Sequence, residues 1–209
     1  MTNKYIYFIA NWKMFGGLKT LDSLKKVISF SKNYRRHKFK IIYCPPSTLI
    51  HNLSQKFKQS SIEVGAQNCN ENLEYTSLTG QINSKMLRDV GAKYIILGHS
   101  ENRLNGESNK LINKKIKSSL KSGLRVIVCI GETLSDKRKS KTKRVLSNQI
   151  KSCLKGIKNL SNIIIAYEPV WAIGTGLIPK IDNLTKNIFF IKNSIKNKSI
   201  KVLYGGSVN

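Results

Sequence analysis

Glu168 stands directly behind the apolar run Ile163-Ile164-Ile165-Ala166-Tyr167 and directly ahead of Pro169 and Gly174-Thr175-Gly176. A carboxylate among apolar residues has its charged form disfavoured, which raises its basicity toward that of a general base able to take a carbon-bound proton. His99, in Gly98-His99-Ser100-Glu101, follows another apolar run and opens a short expected helix over 99–103. The positive end of that helix favours a neutral imidazole that donates a hydrogen bond and so polarises a carbonyl. Lys13, with Asn11 beside it, offers charge and hydrogen bonds to a developing enediolate, and the N–H groups of Gly205-Gly206 with Ser207 are suited to a phosphate. The set describes proton shuttling beside a carbonyl on a small phosphorylated molecule.

Each residue alone has a plainer reading. A single lysine is usually solvated and a single buried histidine is usually structural. Glu168 could meet its need for a partner through a structural ion pair. Trp12 and Trp171 read as packing residues, Gly205-Gly206 as a tight turn and Cys129 as a small core residue. The joint occurrence of lysine, histidine and glutamate, each behind an apolar run, is what favours the chemical reading.

The elements that must position these groups are legible as short β-branched or aromatic runs at Tyr5–Ala10, Lys40–Cys44, Ile62–Ala66, Lys93–Leu97, Arg125–Ile130, Asn162–Tyr167 and Lys201–Tyr204. Between most of them lie polar segments with apolar residues at helical spacing, such as Leu18, Leu21, Leu24, Val27 and Ile28, or Leu111, Ile112, Ile116 and Leu120. Gly91 and Gly123 read as helix stops ahead of the fourth and fifth strands. Continuously apolar strands alternating with helices indicate an α/β protein whose parallel sheet is covered on both faces, as a barrel or a doubly wound sheet. In a barrel the strand ends converge on one mouth, which would bring Lys13, His99 and Glu168 together. No linker divides the chain, so residues 1–209 are expected to form a single domain.

Composition narrows the class further. The chain has 37 Lys plus Arg against 11 Asp plus Glu, a net charge of +26, spread along its whole length. That distribution favours a general basic exterior that attracts anionic substrates over a dedicated nucleic-acid stripe, so no specific nucleic-acid partner is expected. The dense run Lys137–Arg144 reads as a solvated face. Apolar runs are far shorter than the roughly 18–20 residues of a membrane span, and no leader pattern is visible at the N-terminus, so a cytoplasmic, membrane-free protein is expected. Cys44, Cys69, Cys129 and Cys153 are widely spaced, which indicates reduced thiols and neither a metal site nor a disulfide framework.

Six segments then carry a family resemblance: "NWKM" (11–14), "GAQNCN" (65–70), "GHSE" (98–101), "CIGE" (129–132), "AYEPVWAIGTG" (166–176) and "YGGSV" (204–208). In order and spacing they resemble triosephosphate isomerase, from residue 5 to the last residue. The resemblance implies a (β/α)8 TIM barrel, a homodimer, and interconversion of dihydroxyacetone phosphate and glyceraldehyde 3-phosphate in glycolysis and gluconeogenesis, without metal or cofactor. It implies Glu168 as the base, His99 as the electrophile and Lys13 as the cationic substrate contact, with Asn11 as its neighbour in the pocket and Glu101 as a supporting carboxylate. The segment Pro169–Gly176 resembles a lid, with Gly174 and Ser207 as phosphate donors. Thr79-Gly80 resembles the tip of an interlocking loop, from about Gly65 onward, that inserts beside the partner's catalytic lysine.

Departures from the family pattern accompany the match. A complete barrel of this type has about 250 residues and eight strands. Only seven strand candidates are present, so a C-terminally incomplete barrel lacking the eighth βα unit is expected, and an inactive or impaired remnant is the alternative to an active isomerase. A basic nucleic-acid-binding protein is a weaker alternative, and a different phosphate-binding barrel enzyme weaker still. Leu177 stands where the family has lysine, Asn102 replaces an arginine, and the basic run after Glu132 replaces an acidic stretch.

Overall fold

The computed structural model describes residues 5–33, 38–173, 175–195, 197 and 199–206. In chain order the elements are β1 (Ile6–Asn11), a 3-10 turn (Leu18–Leu24) running into α1 (Lys25–Asn33), β2 (Phe39–Cys44), α2 (Ile50–Lys56), β3 (Glu63–Ala66), α3 (Ser84–Asp89), β4 (Tyr94–Leu97), α4 (Ser100–Leu104), α5 (Asn109–Lys121), β5 (Arg125–Ile130), α6 (Leu134–Arg138), α7 (Thr142–Cys153), β6 (Ile163–Tyr167), α8 (Ile181–Ile195) and β7 (Lys201–Tyr204). All seven expected strands form within a residue or so of their expected bounds. The segment from Leu18 differs: its first two turns are 3-10, because Gly17 has no side chain to cap a helix and Thr20 N–H bonds the Gly17 carbonyl three residues back.

The strands form one parallel sheet in the order β1-β2-β3-β4-β5-β6-β7. Among the described residues β1 and β7 do not pair with each other, so the seven strands make an incompletely closed barrel. On the outward face of β1, Ile6 and Phe8 are exposed.

Side chains alternate across each strand, and that period of two separates two cores. Ile42, Cys44, Tyr94, Ile96, Ile127, Cys129, Ile164 and Ala166 fill the barrel interior, with Tyr7, Ile9 and Leu203 against them. Their neighbours Val126, Val128, Ile130, Ile163, Ile165 and Tyr167 face the helices and meet Ile112, Ile116, Leu146 and Ile150. Burial on both faces explains why the strands are continuously apolar. The same alternation carries past the strand ends: Ile9 and Ala166 face inward, so Asn11 and Glu168 do too, at the barrel mouth. No helix among the described residues is long and apolar enough to cross a membrane.

Candidate active site

Glu168 is placed by backbone on both sides. Its N–H bonds the Ile130 carbonyl at 2.8 Å, extending the β5–β6 ladder by one residue, and the Gly205 N–H bonds the Tyr167 carbonyl at 2.9 Å. Two glycines let the chain approach so closely. A Cβ on Gly131 would lie 1.7 Å from the Glu168 carbonyl oxygen, and one on Gly205 would lie 2.6 Å from the Glu168 Cγ. The glutamate is thus held in a slot that admits no side chain on either neighbour.

Its carboxyl group is buried, and burial raises its pKa above the usual carboxylate range against the opposing pull of His99, the Cys129 thiol and Lys13. Oε1 accepts the Cys129 S–H at 3.3 Å. Oε2 is buried and, among the described residues, accepts no hydrogen bond. One carboxylate oxygen is therefore fixed by the protein, and the other is left without a hydrogen-bond partner among the described residues.

His99 caps α4. Its Nδ1 accepts the Glu101 N–H at 3.3 Å, which assigns the remaining ring hydrogen to Nε2. The Glu101 carboxylate also lies 3.5 Å from Nδ1, but a nitrogen that accepts an N–H carries no proton of its own, so we read this as proximity and not as an ion pair. Nε2 lies 3.9 Å from Glu168 Oε2. The short helix is clamped from below by Arg103, whose Nε donates to the Gly98 carbonyl at 2.6 Å and whose guanidinium donates to the Cys129 carbonyl at 3.0 Å.

Lys13 has a backbone φ of 53°, in the left-handed region that a lysine rarely occupies. Three hydrogen bonds hold that turn. The Lys13 N–H donates to Asn11 Oδ1 at 3.0 Å, and the Gln67 side-chain amide donates at 2.8 Å to both the Lys13 and Cys44 carbonyls. The ammonium bonds Glu101 Oε1 at 2.7 Å, which holds the Glu101 carboxyl below its ordinary pKa. Lys13, Glu101, His99 and Glu168 thereby form an unbroken line of contacts across one mouth, with Asn11 beside it. Gly174 and Ser207 lie outside the described residues.

Several positioning contacts lie beyond what the sequence pattern marks, since nothing in the residue type of Gln67, Arg103 or Glu132 sets it apart. Glu132 is 1 % exposed and accepts Trp171 Nε1–H at 2.8 Å and the Tyr167 hydroxyl at 3.1 Å. Trp171 is therefore an anchored group at the base of the segment 169–176 as well as a packing residue. The loop from Gln67 to Asn83 is internally bonded, with the Asn70 N–H on the Ile82 carbonyl at 2.8 Å, while Tyr75 and Leu78 stay exposed.

Chemically, a carboxylate oxygen of raised basicity lies beside an imidazole nitrogen, with the Lys13 ammonium close enough to act on the same carboxyl. That arrangement suits removal of a proton from a carbon next to a carbonyl whose oxygen is polarised from the other side.

The triosephosphate isomerase sequence profile matches residues 6–209. The chain is 39% identical over 211 residues to the triosephosphate isomerase of Dictyoglomus thermophilum, covering 96% of this chain and 84% of that protein. It is 41% identical over 217 residues to that of Leptospira interrogans, covering 95% and 84%. The crystal structure of triosephosphate isomerase from Bartonella henselae superposes with a TM-score of 0.86 at 30% identity, covering 97% of this chain and 83% of that one.

Proposed function

The chain belongs to the triosephosphate isomerase family, and on that premise we propose that Glu168, His99 and Lys13 carry out its aldose–ketose isomerisation. The reading rests on one observation above all: Oε2 of Glu168, without a hydrogen-bond partner among the described residues, lies 3.9 Å from His99 Nε2. A three-carbon substrate placed between them and Lys13 would meet a base on one side and a donor on the other.

With dihydroxyacetone phosphate bound, Glu168 Oε2 takes a proton from C1. The C–H electron pair becomes the C1–C2 double bond, and the negative charge passes to the C2 oxygen, which His99 Nε2–H and the Lys13 ammonium stabilise. Glu168, now neutral, returns the proton to C2. A second proton, moved between the two oxygens beside His99, completes glyceraldehyde 3-phosphate. Atoms and electrons balance without a further reactant. Burial aids both halves: it makes the carboxylate a stronger base, and it lowers the cost of the neutral acid that follows.

Glu101 holds Lys13 before substrate arrives, and a surface ion pair of this kind is weak enough to release it. Asn11 supports the Lys13 turn. Gly174 and Ser207 remain our candidates for the phosphate donors, and the segment 169–176 for the lid that keeps water from the enediolate. Exposed Met14, Phe15, Tyr75 and Leu78 around Lys13 and the 67–83 loop support a homodimer, since apolar side chains left open beside a charged site suit a protein partner. A cytoplasmic setting agrees with the free, buried thiols. No observation favours a nucleic-acid role.

A coupled assay tests the assignment. Glu168→Gln is expected to lower kcat by at least about a hundredfold with little change in KM, because a base contributes in the transition state. Undiminished turnover in that variant would remove Glu168 from the mechanism.

A further inference from the structure

Outside the barrel, between α6, the start of α7 and α8, the protein has an open cavity of about 730 Å³ that shares no residue with the line from Lys13 to Glu168. We propose that this cavity is a binding site for an aromatic anion, held by ammonium groups at its rim and by ring faces in its wall.

The charge balance of the cavity points to an anion. Lys137, Lys143 and Lys186 line it, and among the described residues none of the three is in an ion pair. The one acid in the lining, Glu132, is buried and already occupied by Trp171 and Tyr167. Three lysines line one concavity and, among the described residues, its lining holds no carboxylate free to answer them, an arrangement that concentrates an anion there.

Ring faces supply the second half of the recognition. The Lys137 ammonium lies 3.1 Å from the centroid of the Trp171 ring and that of Lys143 5.8 Å from the centroid of Phe190. Phe189, at the rim, is 66% exposed. A planar ring carrying a negative group would lie against these aromatics and recruit the lysines that now rest on them. The volume falls within the range of roughly 300–1,000 Å³ usual for small-molecule sites. Because Trp171 forms part of the wall, an occupant reports itself through that indole.

The probe is 8-anilinonaphthalene-1-sulfonate titrated into the intact chain at moderate salt, where the long-range field of the basic surface is damped. The site predicts one saturable class with quenching of tryptophan emission, most of which disappears in Trp171→Phe. The exposed pair Lys143→Glu/Lys186→Glu should weaken that class by about tenfold or more, the loss expected on removing two charge-assisted contacts. Lys26→Glu/Lys58→Glu, an equal change of net charge elsewhere, should leave it unchanged. Far-UV circular dichroism verifies the fold of each variant; should the reversed pair not fold, Lys143→Gln alone should give a smaller weakening in the same direction. Equal weakening by both pairs would mean that only the overall charge is sensed, and unweakened binding in the 143/186 pair would place the dye on another apolar surface. Either result overturns the proposal. The measurement reads binding alone, so its outcome is independent of the catalytic assignment.

Discussion

Glu168 is asked to be two things in turn, a carboxylate and a neutral acid, and its surroundings hold the balance between them. Burial raises its pKa while His99, Cys129 and Lys13 pull it back. The acid limb of the kcat/KM profile, which reports the free enzyme, is therefore expected above the ordinary carboxylate range, with activity falling as pH drops through it. The same shift has a sign for stability. A folded-state pKa above the unfolded value means that the protonated form is favoured by folding, so this contribution is full below the unfolded pKa and is lost as pH rises through the folded one. Glu168→Gln keeps the shape and cannot ionise. It should melt above the parent protein near neutral pH and together with it at pH low enough to protonate Glu168 in both states, as thermal denaturation at the two pH values would show. A variant less stable than the parent at neutral pH would mean that the ionised carboxylate is stabilised where it sits.

At the scale of elements, strand ends set the precision of the site and backbone proximity sets the strand ends. Gly131→Ala should be costly out of proportion to one methyl group, because its Cβ would meet the Glu168 carbonyl at 1.7 Å. Overpacking of this kind costs about 3 kcal/mol, measurable by denaturant unfolding, and the shifted glutamate should lose roughly a hundredfold in kcat. The strands themselves were open to reading, since burial on both faces writes continuous apolar runs such as Val126–Ile130, and the polar groups close behind β1, β4 and β6 mark the mouth. The clamps were not. Gln67 acts 54 residues from Lys13, Arg103 acts 26 residues from Cys129 and Trp171 acts 39 residues from Glu132. Hydrogen bonds that span such distances in the chain leave no period or spacing to detect, and polar residues of these types are equally common on open surface. The 3-10 start at Leu18 escaped for a local reason, because apolar spacing cannot distinguish three residues per turn from 3.6 over so short a stretch.

For the whole molecule, the property with the longest reach is its net charge of +26. A phosphorylated substrate approaching such a surface is steered by it, so kcat/KM should fall as sodium chloride rises from low to physiological ionic strength, and the fall should lie in the second-order constant with kcat nearly unchanged. A salt-independent kcat/KM would show that the charge does not take part in capture. Seven parallel strands carry the three groups to one mouth: β1 leads to Lys13, β4 to His99 and β6 to Glu168. None of the three neighbours another of them in the sheet, so the site depends on the curvature of the sheet as a whole.

The most direct test is hydrogen exchange at carbon. Incubated with dihydroxyacetone phosphate in deuterium oxide and followed by proton NMR, the protein is expected to place solvent deuterium on the carbons beside the carbonyl, and Glu168→Gln is expected to lose that exchange while inorganic phosphate still binds. Exchange at the parent rate in the Gln variant would show that another group moves the proton, and the role given to Glu168 would be wrong.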